Sequence, residues 1–236
     1  MRTVPVDKVV SSFAKAVEDI PDGAVVMMDG FGGPGGMPQQ LILALRDRGT
    51  RELTIISNTG GLVGFGIIAG QPSVTHAILI ESGQVNRVIA SFPVSRSPSQ
   101  PNPFELAYNR GEVDVEVVPQ GTLAERIRAG GAGIAGFYTP TGVGTQVTEG
   151  KETRTIDGRE YLMEYALTAD YAFVRAFRAD HLGNLVYRGT SRNFNQLMAA
   201  AARVTIAEVD EIVEPGGLDP EAVATPGVYV DRLVKR

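Results

Sequence analysis

Two continuous apolar runs, residues 24–28 and 53–57, stand on either side of a glycine-rich stretch and a segment with helical spacing. Runs without polar alternation suit strands buried on both faces, as in parallel sheets covered by helices. Between them, residues 30–36 hold five glycines. Pro38 then opens a segment, 39–48, that turns Leu41, Ile42 and Leu45 inward, and Gly49 stops it. Strand, glycine loop, helix and strand make a βαβ unit, which requires a parallel pair and a right-handed crossover. The expected fold class is α/β, a mostly parallel sheet flanked by helices.

The rest of the chain extends this pattern. Val6, Val9, Val10, Phe13, Val17 and Ile20 predict a helix over 5–20, started at Pro5 and stopped by Pro21-Asp22-Gly23. Residues 77–80 and 88–90 read as strands, and 92–103, rich in proline, as an extended surface loop. Residues 112–117 alternate acidic and apolar, the pattern of a half-solvated strand. A helix is expected over 122–128, a polar hairpin excursion over 145–165, and apolar strands at 172–176 and 204–209 around a helix over 195–202. No repeat or linker divides the chain, so residues 1–236 are read as a single domain.

Composition removes several function classes. The 22 basic and 27 acidic residues give a net charge of −5 with no long run of either sign, which speaks against nucleic acid or an anionic membrane as partner. There is no cysteine, so thiolate catalysis and disulfides are excluded. The two histidines, His76 and His181, are far apart and show no ligand spacing, so no metal is expected. No apolar run reaches the roughly 18 residues that span a bilayer. The opening residues MRTVPVDKVV lack the apolar core of a signal peptide, so a soluble cytoplasmic protein is expected.

Gly30-Phe31-Gly32-Gly33-Pro34-Gly35 satisfies the G-x-G-x-x-G pattern of dinucleotide sites. Such a site also needs a carboxylate at the end of the second strand for the ribose hydroxyls. Ser57-Asn58 stands there, and no G-K-[ST] follows the loop to make a Walker site. Two readings remain, a tight turn or a backbone surface that a ligand approaches closely. Five glycines exceed what a turn requires and favour the second.

These residues also resemble a known family. Asp22-Gly23, the strand 24–28, Gly30-Phe31 and Gly35-Gly36-Met37-Pro38 are similar to the N-terminal signature of family I CoA-transferases. Val118-Pro119-Gln120-Gly121-Thr122-Leu123-Ala124-Glu125-Arg126 and Gly130-Gly131-Ala132-Gly133 resemble its central motif almost verbatim. Phe137-Tyr138-Thr139-Pro140, Gly183-Asn184-Leu185, Arg192-Asn193-Phe194-Asn195 and Thr225-Pro226-Gly227 follow in family order. Two departures stand out: Asp29 replaces the first of the family's paired glycines, and the loop before Gly36-Met37-Pro38 is one residue longer. Met37 and Ser91-Phe92-Pro93 look more like the 3-oxoadipate enzymes than the acetoacetate enzymes.

The resemblance implies the CoA-transferase fold, which is NagB–RpiA-like, with a small β excursion. It implies the α subunit of a heteromeric 3-oxoacid CoA-transferase that moves CoA from an acyl-CoA such as succinyl-CoA to 3-oxoadipate or acetoacetate. The catalytic glutamate would lie on a β subunit, in a Ser-Glu-Asn-Gly motif that this chain lacks. No permanently bound cofactor is implied; the CoA thioester is the substrate. Gln120 would direct its amide at the reaction's oxyanion, against an alternative in which it caps the helix that follows. Asn58 would line the same site, orienting the acyl carboxylate or the partner's glutamate, against an alternative as a turn residue. Asp29, Gly30, Phe31, Gly32, Gly33, Pro34, Gly35 and Gly36 would border CoA or the acyl group. Arg126, Arg128, Arg188 and Arg192 are kept out of the site. Other readings are a CoA-ester hydrolase or lyase heteromer, a stand-alone phosphosugar isomerase, and a non-catalytic partner.

Overall fold

The computed structural model describes residues 7–28, 31, 36–62, 67–68, 71–95 and 97–236. The first half contains α1 (Phe13–Val17), β1 (Val25–Met28), α2 (Gln39–Arg48), β2 (Leu53–Ile56), the hairpin β3 (Ile67–Ile68) and β4 (Gln71–Pro72), α3 (Ala77–Glu81), β5 (Val85–Ala90), α4 (Pro103–Asn109) and β6 (Asp114–Val117). The second half contains α5 (Gln120–Gly131), β7 (Gly136–Thr139), β8 (Thr153–Ile156), β9 (Arg159–Tyr165), β10 (Ala169–Asp180), β11 (Leu185–Val186), α6 (Asn195–Ala201), β12 (Ala202–Val213) and β13 (Arg232–Lys235).

The main sheet runs β13-β12-β10-β1-β2-β5-β6, with every neighbouring pair on that path parallel and β11 added antiparallel to β10. From β1 the chain moves outward through β2, β5 and β6, then returns to β10 on the other side. The strand order therefore reverses between β1 and β10, and open α/β sheets bind ligands beyond the C-terminal strand ends at such a switch. Side chains of β1 explain its unbroken apolar run: Val26 and Met28 join the core under α1 to α4, and Met27 joins the core under α5 and α6.

Helix α2 starts and stops where its sequence signals place it, with Gly49 in the left-handed region at φ 78° and its N–H donating to the Arg46 carbonyl. Helix α5 starts two residues earlier than expected and runs through Gly130 and Gly131. A Cβ on Gly130 would stand 2.0 Å from the Leu167 carbonyl oxygen, so this helix face admits only glycine against the incoming chain.

Several expectations are corrected. The helix over 5–20 shrinks to α1, because Val9 bridges Leu233 of β13 and the Val10 N–H donates to the Leu233 carbonyl. Those β-branched residues extend the sheet edge, and Ser12 caps the helix behind them by accepting from the Lys15 N–H; Pro5 lies outside the described residues. Residues 77–80 form helix α3, not a strand, with Ala77, Leu79 and Ile80 buried. The stretch 92–103 ends in α4, which Asn102 and Glu105 start with a reciprocal capping box. The excursion is a three-stranded antiparallel sheet, β7-β9-β8, beginning at Gly136 rather than near 145.

Candidate functional site

Asn58 follows β2, Ser91 follows β5, and Gln120 lies three residues beyond the end of β6, so all three stand at the C-terminal edge of adjacent parallel strands. Asn58 is buried, and its carbonyl accepts the N–H groups of Ser91 at 3.2 Å and Phe92 at 2.9 Å. Gln120 is exposed and is the first residue of α5. Its Nε2 donates to Asn58 Oδ1 at 2.7 Å, joining positions 62 residues apart. The N-cap of α5 is Pro119, which makes no side-chain cap, and the Gln120 amide reaches the neighbouring strand end. One N–H of that amide is directed at Asn58, and the other is left for a second acceptor.

Of the glycine-rich segment, the structure places Phe31 and Gly36; residues 29–30 and 32–35 lie outside the described residues. Phe31 and Gly36 are both held by the segment that opens α6. Asn193 Nδ2 donates to the Phe31 carbonyl at 2.5 Å, and the Phe31 ring meets Phe194 edge-on at 6.2 Å. Fully buried Asn195 donates to the carbonyls of Gly36 (3.2 Å) and Ser191 (2.8 Å), while its Oδ1 accepts the Arg175 N–H (3.0 Å). Nothing in the sequence spacing marked Asn193 and Asn195 for this task.

The N-terminus of α2, where a nucleotide fold would seat a phosphate, already holds an anion from the chain itself. Glu208 of β12 is fully buried, and its Oε2 accepts the N–H groups of Gln40 at 2.8 Å and Leu41 at 3.2 Å. Its Oε1 faces Arg175 Nε at 3.7 Å and Arg236 Nε at 3.8 Å. Burial pushes this carboxyl's pKa up, against the opposing pull of Arg175, the two helix amides and Arg236. A phosphate of a sugar or dinucleotide therefore finds this helix end filled.

The four arginines have other work. Buried Arg126 donates to Glu116 at 2.6 Å and to the Tyr165 carbonyl at 2.7 Å, tying the small sheet to α5. Arg128 pairs with Glu125, Arg188 lies 5.2 Å from the Phe177 ring centre, and Arg192 donates to Gln196. Among the described residues, no three His, Cys, Asp or Glu side chains gather as a metal site would need, and no helix is long and apolar enough to cross a membrane. A groove of about 620 Å³ between α1 and α2, lined in part by Phe13, Val17, Leu43 and Ala44, shares no residue with the Asn58–Gln120 pair.

His76 is the residue that sequence reasoning passed over. It precedes α3, is fully buried, and sits with Nε2 2.9 Å from the Thr59 carbonyl, next to Asn58. Burial pushes its pKa down to about 4, against the bond to that carbonyl.

Residues 10–236 match the family described as Coenzyme A transferase. The chain is 50% identical over 215 residues to the α-type subunit of the succinyl-CoA:3-ketoacid coenzyme A transferase of Xanthomonas campestris pv. campestris, covering 91% of this chain and 83% of that one. It is 48% identical over 229 residues to the corresponding subunit of the 3-oxoadipate CoA-transferase of Pseudomonas putida, covering 97% and 94%. Among solved structures it is similar to the Escherichia coli O157:H7 acyl-CoA transferase YdiF in its thioester complex with CoA, with 26% identity and a TM-score of 0.77. That likeness covers 98% of this chain and 47% of the YdiF chain, so the present chain spans about half of that protein.

Proposed function

Because the chain belongs to the coenzyme A transferase family, we propose that it is the α subunit of a 3-oxoacid CoA-transferase whose nucleophile is a glutamate on a separate β subunit. It works with succinyl-CoA as donor and 3-oxoadipate or acetoacetate as acceptor, in keeping with the names of its relatives. The partner's glutamate carboxylate attacks the thioester carbonyl and expels CoA thiolate, leaving an acyl–glutamyl anhydride. The thiolate attacks the glutamyl carbonyl of that anhydride, releasing the first acid and leaving glutamyl-CoA. The 3-oxo acid then repeats the two steps in reverse, so the thioester's free energy is kept throughout.

This chain's part is to stabilise charge and to receive substrate. Each attack on a carbonyl makes a tetrahedral oxyanion, and a donor already aimed at it is worth roughly 3–4 kcal/mol of barrier. The observation that carries the reading is the exposed Gln120 amide, held at one N–H by Asn58 at the C-terminal edge of the sheet. Asn58 is part of the same site, and residues 29–36 border the acyl-CoA. With α2 already capped by Glu208, the phosphosugar isomerase alternative loses its natural phosphate seat.

The test is reconstitution with a β subunit that carries the Ser-Glu-Asn-Gly motif. Incubation with succinyl-CoA should place a CoA adduct, read by intact mass, on the partner and none on this chain. Transfer to 3-oxoadipate or acetoacetate should then require both proteins. Turnover by this chain alone, or an adduct on it, contradicts the proposal, and release of free CoA without transfer favours a hydrolase.

A further inference from the structure

A glutamine amide on an exposed helix end is free to swing, and ordering such a side chain costs on the order of 1.5–2 kcal/mol. An oxyanion donor is effective only when that ordering is complete before the reaction. Behind Gln120 the structure contains a chain of contacts that does this, and it ends on a residue far from the sheet edge. Asn58 Oδ1 accepts from Gln120 Nε2, and the Asn58 carbonyl is fixed by the N–H groups of Ser91 and Phe92. The next carbonyl, that of Thr59, meets His76 Nε2 at 2.9 Å. The turn that follows is wedged. A Cβ on Gly60 would stand 2.4 Å from the Pro93 carbonyl oxygen, and one on Gly61, at φ 90°, 2.6 Å from the Ala77 nitrogen.

The ring's tautomer follows from its contacts. A carbonyl only accepts, so Nε2 must carry the proton, and Nδ1, buried with no partner among the described residues, carries the lone pair. Burying an imidazole in this way costs stability, which marks it as a feature needing an explanation. We infer that His76 is a positioning residue: its Nε2–H holds the Thr59 carbonyl and thereby sets Asn58, which aims the Gln120 amide. His76 touches no substrate and acts through Asn58 and Gln120. The inference rests on the proposed oxyanion role of Gln120, which it deepens.

Two measurements decide it. In the assembled enzyme, His76→Phe, which keeps the ring's bulk and removes the donor, should lower kcat about ten- to a hundredfold with KM for the acyl-CoA unchanged. His76→Gln, whose amide nitrogen reaches the same carbonyl, should recover the rate to within roughly threefold of wild type. On a Gln120→Ala background, neither His76→Phe nor Asn58→Ala should lower kcat further, because both act through the missing amide. An unchanged kcat in His76→Phe, or an equal loss on both backgrounds, overturns the inference.

The second measurement needs no catalysis. The ¹⁵N side-chain amide of Gln120 in the isolated chain should be ordered in wild type and His76→Gln, and mobile in Asn58→Ala and His76→Phe. If His76→Phe does not fold, His76→Leu and Asn58→Ala carry the same comparison. An amide that stays ordered in all of them refutes the positioning chain. A Gln120→Ala enzyme running at the wild-type rate removes the oxyanion reading instead, and the amide measurement still decides this one.

Discussion

The carboxylate of Glu208 accepts the backbone N–H of Gln40 at 2.8 Å, so a strand on one side of β1 caps the helix that leaves the glycine-rich segment on the other. The bond joins residues 168 apart in sequence and fixes where α2 begins. Replacing Glu208 with Ala leaves two helix amides open and removes an anion beside Arg175, which should cost about 3–5 kcal/mol in urea unfolding. Glu208→Gln keeps an acceptor and should cost less. Inorganic phosphate should stabilise the Ala variant and leave wild type unchanged; equal stabilisation of both would show the helix end to be open.

His76 should leave a pH signature. Its ordinary pKa is 6.5, and the folded value is about 4. As pH falls through 6.5 the unfolded chain takes up a proton at this ring and the folded chain does not, so folding loses stability. The stabilisation is therefore complete above 6.5, falls between 6.5 and 4, and the loss levels off at about 3 kcal/mol. Urea unfolding of wild type and His76→Gln across that range should show a difference that closes toward acid. A constant difference would show that the ring does not titrate in this way.

Arg126→Ala should destabilise by roughly 3–5 kcal/mol, because its guanidinium is buried against Glu116 and near buried Glu164, and it holds the Tyr165 carbonyl. KM for the acyl-CoA should not change, since this arginine faces the small sheet and not a CoA phosphate. A raised KM with normal stability would reverse that assignment.

Two glycines of α5 should respond oppositely to alanine. Gly121 has open space where a Cβ would go, so Gly121→Ala should stabilise the chain by about 0.5–1 kcal/mol through helix propensity. Gly130→Ala meets the Leu167 carbonyl and should destabilise it. Thermal melts of the two variants separate packing from propensity.

What the sequence could show depended on whether a signal was local. Pro38, the inward Leu41, Ile42 and Leu45, and Gly49 bound α2 at both ends, and the structure agrees residue for residue. Residues 77–80 are four apolar residues in a row, a length at which strand and buried helix look alike, and tertiary packing chose helix. The sequence Asn102-Pro103-Phe104-Glu105 carries the signature of a capping box with proline at the first turn, and it would have revealed α4 inside the proline-rich stretch. Val9 and Val10 fit a helical period but lie instead beside β13, whose strand comes from the far end of the chain. The site divides the same way. Gln120 and Asn58 sit in motifs, whereas the bond between them, the His76–Thr59 contact and the Glu208 cap exist only once the sheet has assembled.

If this chain supplies the oxyanion donor while its partner supplies the nucleophile, the most direct readout is the rate at which the CoA adduct forms on the partner. Single-turnover rates should be compared in complexes built with the wild-type chain and with Gln120→Ala. The expected result is intact assembly and a rate lower by roughly two to three orders of magnitude. An adduct that forms at the wild-type rate would contradict the assignment.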